Sequence, residues 1–338
     1  MGKMIAYKLM PRTSFHIGAR GIGIERTSDV IHSDTLFSAI VSAWRYLGAE
    51  MDGDGNMKLL EPFFAEPEQP PFKLSSALPF AGDTLLYPAP LVKHGSDKAV
   101  KKAEFLSEKV LLSCDIESSE KMQGGKVRLT KEEKNGILGS RSDCDDEGIW
   151  KSGEKAVVPR VTIDRISSAS QIYHCGELHF AKDCGLYFIV ELRDEEYEGH
   201  VERAVDFLSE EGIGGERSSG CGQFEYQKCP NSKPAASDGD VRYMTLSLYH
   251  PTRSEVEGGV LSDAAYNLVD SKGWIHSPDG SSHRRRSVWM ITEGSVFSQP
   301  VSGDIVDVRP CDWHHHPVYR SGMALTMPIS AQWEGNDG

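Results

Sequence analysis

No run of eighteen or more apolar residues occurs in this 338-residue chain, so no stretch suits a membrane-crossing helix. Residues Met1–Lys8 lack the apolar core and small-residue cleavage site of a secretory signal. The seven cysteines, at 114, 144, 175, 184, 221, 229 and 311, are scattered and contain no Cys-x-x-Cys pair. That spacing argues against a disulfide framework and a zinc knuckle and suits a reducing, cytoplasmic setting. The phosphate-loop pattern G-x4-G-K-[ST], the zinc-protease pattern H-E-x-x-H and the nucleophile elbow G-x-S-x-G are also missing. His314, His315 and His316 are consecutive; neighbours on a strand point to opposite faces, so the three do not converge on one ion. Neither a metal nor a cofactor is expected, and no catalytic group is assigned.

The chain is rich in glycine, with 33 residues, and the densest cluster is its most informative segment. Gly212, Gly214, Gly215, Gly220 and Gly222 fall within eleven residues that also hold Arg217, Ser218 and Ser219. Such a loop reaches positive φ without steric cost and approaches other backbone closely. Its N–H groups can form a concave cradle for phosphate oxygens, and Arg217 adds a planar cationic fork. A partner with a phosphate backbone is implied. The formal net charge of −13 argues against loose nucleic-acid binding, but it is unevenly spread. Asp194–Glu211 has eight acidic residues and one arginine, whereas Met1–Val30 has five basic and two acidic residues. Screening within about 8–10 Å lets a local basic groove persist on an acidic body.

The length favours two domains. Met4–Ile17 reads as a strand, Gly18–Asp29 as a loop, and Ser33 as the N-cap of a helix whose Leu36, Phe37, Ile40, Val41, Trp44 and Leu47 make one apolar stripe. Residues 98–153 are polar and form an excursion from the core. Ile172–Phe180 and Leu186–Leu192 read as the strands of a hairpin. An acidic helix, the glycine-rich loop and a strand from Gln223 follow. Residues 230–240, rich in Pro, Ser, Ala, Gly and Asp, read as a linker, which gives domains 1–229 and 241–338. The fold class is α+β, with a split βαβ, ferredoxin-like (RRM-like) architecture in each half.

His16 lies before Gly18, Gly21 and Gly23, and an unperturbed histidine there would suit general-base cleavage of RNA. No second acid–base group accompanies it, so binding is favoured over catalysis. Arg284, Arg285 and Arg286 form the most concentrated positive charge, and phosphate contact is the preferred reading of them.

Together these features resemble a RAMP protein of a CRISPR system. The loop 212–222 looks like the glycine-rich signature of that superfamily. The stretches Phe15–Gly18, Ile31–Ala39, Pro159–Arg165, Glu293–Phe297 and Pro317–Gly322, in this order, are similar to the fourth Csm subunit of type III-A effector complexes. The resemblance implies two ferredoxin-like halves with a thumb-like insertion at 98–153, and a non-catalytic subunit. It implies binding of the repeat-derived 5′ handle of the crRNA, and linkage of the large polymerase-cyclase subunit to the backbone RAMP subunits. Target RNA would be met only indirectly, and no membrane is involved. The loops Gly18–Gly23 and Gly212–Gly222 would face the handle, with contacts from His16, Arg20, Ser33, Arg165, Arg217 and Ser218. The alternatives are a metal-independent RAMP endoribonuclease that processes precursor crRNA, and the equivalent subunit of a type III-B complex.

Overall fold

The computed structural model describes residues 2–18, 24–53, 55–91, 104–108, 111, 126–128, 149–151, 153–230, 240–275, 277 and 283–331. Arg20, Gly21 and Gly23, the interior of the expected linker and most of 98–153 lie outside the described residues.

The first strand, β1 (Lys3–Pro11), alternates its contacts: Ile5, Tyr7 and Leu9 enter one core and Ala6 another. It stops at Pro11, short of the expected Ile17, and Phe15 and His16 make only isolated bridges. Helix α1 (Ser33–Tyr46) buries Leu36, Phe37, Ile40, Ala43 and Trp44. After the short helix α2 (Glu61–Ala65) come β2 (Phe72–Leu74), β3 (Leu78–Ala81), β4 (Thr84–Pro88), β5 (Phe105–Ser107), β6 (Lys126–Arg128) and β7 (Ile149–Lys151). A two-stranded ribbon follows, β8 (Gly153–Ile163) and β9 (Ser170–Phe180). Then come β10 (Cys184–Leu192), helix α3 (Glu196–Glu211) and β11 (Phe224–Pro230).

The main sheet runs β11-β1-β10-β3-β4-β5, with β2 also on β10. In its four strands β11-β1-β10-β3, all neighbours are antiparallel, and α1 and α3 are the crossovers. Both helices cover one face. Leu186, Phe188, Val190 and Leu192 of β10 pack with Val201, Ala204, Val205 and Leu208 of α3 in the same core, and Trp44 Nε1 donates to the His200 carbonyl at 2.8 Å.

The opposite face is covered by the C-terminal half. Its sheet orders β15 (Val296–Phe297), β12 (Val241–Thr245) and β18 (Thr326–Ser330). Met244, Leu246, Leu325 and Met327 close over Ala6, Tyr187 and Ile189. Helix α4 (Arg253–Glu257), the hairpin β13–β14 (Leu268–Ser271, Val288–Ile291) and the pair β16–β17 (Ile305–Asp307, Tyr319–Ser321) complete this half. Central strand β10 is thus buried on both faces, which accounts for its unbroken apolar run.

The expected hairpin of 172–180 with 186–192 does not form. Strand β9 pairs along its whole length with β8, and β10 inserts between β1 and β3. The β8–β9 turn is made by Asp164, whose Oδ1 accepts the N–H groups of Ile166 and Ser167, and by Ser168 at φ 56°. This aspartate-initiated turn needs no glycine or proline.

Candidate nucleic-acid interface

Helix α3 ends where Gly212 takes φ 87° and donates its N–H to Leu208. From there the chain doubles back onto segment 12–16. Gly215 N–H donates to the His16 carbonyl at 2.8 Å, Gly222 N–H to Ser14 at 2.8 Å, and Ile213 N–H to Gly222 at 3.0 Å. Several glycines are required by contact as well as by torsion. A Cβ on Gly214 would lie 2.5 Å from the His16 carbonyl oxygen, one on Gly215 2.6 Å from His16 Cδ2, and one on Gly222 2.2 Å from the Ile213 carbonyl oxygen. Gly220 also has positive φ, 85°, but open space around it. Gly220→Ala should therefore cost only about 1 kcal/mol of torsional strain and shift a melting curve slightly.

The N–H groups of Gly212, Ile213, Gly215, Ser219, Gly220, Cys221 and Gly222 all donate within the protein. The expectation of a loop whose amides cradle phosphate is thereby narrowed: most of these glycines serve close packing, and the exposed rim is Ser218, Ser219 and Gly220, flanked by Arg217. Arg217 Nη1 lies 3.6 Å from Glu211.

His16 is buried, 7% exposed. Its Nδ1 donates to the Gly176 carbonyl at 2.7 Å, with Cys175 Sγ 3.5 Å away, and its ring is held under Gly215. This histidine clamps loop, strand end and ribbon together. Burial pushes the Cys175 thiol up to about 11.

The ribbon contributes residues that the sequence reading passed over. Arg160 and Tyr173 are cross-strand partners. Arg160 Nη2 donates to Glu177 Oε1 at 2.6 Å and lies 3.3 Å from Cys221 Sγ; Tyr173 Oη donates to Glu216 at 3.2 Å. Glu177, 4% exposed, also accepts from Ser14 Oγ at 2.6 Å. Burial alone would raise its pKa, but the bonds from Ser14 and Arg160 outweigh that and hold it below the usual carboxylate range. Arg160, bonded to Glu177, is held firmly protonated. Arg165 is exposed in the turn of the ribbon, about 16 Å beyond Arg160 along an extended strand. Val157, Val161, Ile163, Ile166 and Ile172 are more than half exposed on this ribbon. The loop, the strand end 14–18 and the ribbon thus form one continuous surface.

Two expected contact residues do not belong to it. Ser33 is 2% exposed and its Oγ accepts the Leu248 N–H at 2.9 Å; the N-cap position is His32. Arg285 is 7% exposed and donates to the Ser271 carbonyl, Ser271 Oγ and the Lys272 carbonyl, with Nη2 3.9 Å from Asp34 Oδ2. Both residues join the two halves of the chain. Arg284 instead stacks over Trp274 at 5.1 Å, and Arg286 Nη2 donates to the Asp307 carbonyl at 2.8 Å, so the arginine triplet points three ways.

Comparison with known proteins places these features. Residues 8–225 match the RAMP superfamily and residues 239–329 the CRISPR Csm4 C-terminal domain. The CRISPR system Cms protein Csm4 of Methanocaldococcus jannaschii is 23% identical over 97% of this chain and 98% of that protein. Its namesake from Mycobacterium tuberculosis is 29% identical over 91% and 94%. Among solved structures, a Csm3–Csm4 subcomplex of the type III-A CRISPR–Cas interference complex superposes with TM-score 0.65 at 20% identity, over 97% of this chain and 99% of that one. A Csm1–Csm4 cassette in complex with cA4 superposes with TM-score 0.54 at 21% identity, over 97% and 98%.

Proposed function

Because the chain belongs to the RAMP superfamily, we propose that it acts as the fourth Csm subunit of a type III-A CRISPR effector complex. In this role it holds the repeat-derived 5′ handle of the crRNA without catalysing a reaction. The observation that carries this reading is the pinning of the glycine loop to His16, which presents Arg217, Ser218, Ser219 and Gly220 beside the β8–β9 ribbon. Single-stranded RNA is held by such combinations of arginine, backbone and exposed apolar or aromatic surface, while base pairing reads the target.

In the same reading the chain has two ferredoxin-like halves, 1–229 and 241–338, and the exposed apolar ribbon acts with 98–153 as the thumb-like projection toward the next subunit and the guide–target duplex. The complexes of relatives with Csm3 and with Csm1 support two partner faces, one toward the backbone subunits and one toward the large polymerase-cyclase subunit. The clamped His16, with its Nδ1 proton spent on Gly176, supports binding rather than cleavage.

The test is binding of labelled crRNA, with and without its handle, by the protein alone and assembled with its large and backbone subunits, followed by denaturing electrophoresis. Handle-dependent binding of intact RNA is expected, and Arg217→Glu should weaken it about tenfold, or ~1.4 kcal/mol. Added salt should weaken it with a log–log slope of about −0.7 per phosphate contacted. Handle-independent binding, or cleavage abolished by His16→Ala, overturns the proposal.

A further inference from the structure

A second cleft, of about 140 Å³, opens between α1 and the C-terminal half, well away in sequence from the glycine loop. Although the chain has 50 acidic residues, no carboxylate lines this cleft, whereas Arg45, Arg320 and His316 do. Arg320 marks its closed end, with a side chain only 11% exposed. Nη1 of Arg320 donates to the Asp34 carbonyl at 3.1 Å, but its buried Nε has no acceptor among the described residues. Asp34 faces both Arg320 and Arg285, at 3.7 and 3.9 Å, so this end of the cleft holds more positive than negative charge. The floor is apolar, with Phe37, Val41, Met57 and Leu60. At the mouth stand two largely exposed rings, Trp274 (57%) and Tyr46 (46%). Arg284 covers Trp274 at 5.1 Å.

A cationic closed end, an apolar floor and aromatic rings at the mouth match the parts of a nucleotide: phosphate, sugar and base. The volume is below the ~300–1,000 Å³ of sites that enclose a whole drug-sized ligand, so part of the ligand must lie against the rim. We propose that this cleft binds a single nucleotide unit, its phosphate drawn toward Arg320 and Arg45 and its base stacked at Trp274. The assignment does not rest on handle binding at the glycine loop. Either a free mononucleotide or one nucleotide of an RNA strand presents this chemistry.

Calorimetric titration of the full chain with AMP, with orthophosphate and with a short single-stranded oligoribonucleotide tests it. Two variants accompany the parent: Trp274→Ala, which removes an exposed ring, and Ser42→Phe, which fills the cleft from α1. Saturable AMP binding is expected, at least tenfold tighter than orthophosphate and at least tenfold weaker in both variants, with melting curves like the parent's. If AMP binding depends on Trp274 and oligonucleotide binding does not, the ligand is a free nucleotide; if the oligonucleotide is weakened as well, an RNA strand supplies it. Equal affinity for AMP and orthophosphate overturns the assignment. So does binding unchanged in both variants, or the absence of AMP binding together with oligonucleotide binding indifferent to Trp274→Ala. Because Arg217→Glu leaves this cleft intact, loss of handle binding in that variant and loss of AMP binding in Trp274→Ala report on separate sites.

Discussion

Gly222→Val should abolish the glycine loop's geometry and cost the fold about 4 kcal/mol or more. The residue has φ 85°, and any Cβ there would lie 2.2 Å from the Ile213 carbonyl oxygen and 2.8 Å from its nitrogen. Both are backbone atoms, so no side-chain rotation relieves the clash. The loop would have to open, which breaks Ile213 N–H to Gly222 and Gly222 N–H to Ser14. Each broken bond contributes about 1 kcal/mol, in addition to steric and torsional strain of about 1–3 kcal/mol each. For a chain of this length that corresponds to a fall of roughly 6 °C in melting midpoint. The decisive comparison is with Gly220→Ala in the same loop, since both positions have positive φ and only one is crowded. If the two variants melt alike, the close contacts are not what fixes these glycines. RNA binding should fail in Gly222→Val even where the protein stays folded, because the rim residues Arg217–Gly220 lose their anchor.

Asp34→Ala should be comparably severe, at about 3–5 kcal/mol, the usual cost of leaving a buried charge unpaired. Asp34 is 2% exposed and faces Arg320, Arg285 and Ser271 Oγ. Without the carboxylate, two buried guanidinium groups remain together. Burial and Arg320 already pull the pKa of Arg285 down, and Asp34 opposes them. Burial likewise pushes the Asp34 pKa up, but Arg320, His32, Ser271 and Arg285 prevail and hold it below the ordinary value. A carboxylate whose folded pKa is depressed stabilises the protein fully above its unfolded pKa of about 4. That contribution is lost as pH falls through the folded value. Buried Glu293, held low by His32 and Ser76, and Glu177, held low by Ser14 and Arg160, act in the same sense. Stability measured by denaturant titration should therefore drop steeply as pH falls below about 4. In Asp34→Asn that slope should lose about one proton's worth. An unaltered slope would show that Asp34 carries no depressed pKa.

The parts of the fold that could be read from the sequence are those with a clear period. Leu36, Phe37, Ile40 and Trp44 mark α1; Val201, Ala204, Val205 and Leu208 mark α3; the apolar run of β10 marks a strand covered on both faces. The β8–β9 pairing was not legible. Its turn uses Asp164 and Ser168 in place of glycine or proline, and Val157, Val161 and Ile163, which read as core residues, are exposed. With that pairing hidden, the Arg160–Tyr173 partnership and its link to Glu216 and Glu177 were hidden too. Ser33, Asp34 and Arg285 look like surface residues by type. They are buried because each bonds across the junction of the two halves, a packing that no local pattern announces. His16 was found by position, yet its role as a clamp depends on Gly176 and Gly215, which are far away in the chain.

The shared core of the two halves has a consequence for how the polypeptide can be divided. Met244, Leu246, Leu325 and Met327 lie against Ala6, Tyr187 and Ile189, so each half completes the other's interior. Either piece made alone would expose a broad greasy face and aggregate. A backbone break between Pro230 and Asp240, by contrast, would leave two fragments with every reason to find each other. The chain is thus a natural split reporter, whose reassembly would register the presence of both fragments in one compartment.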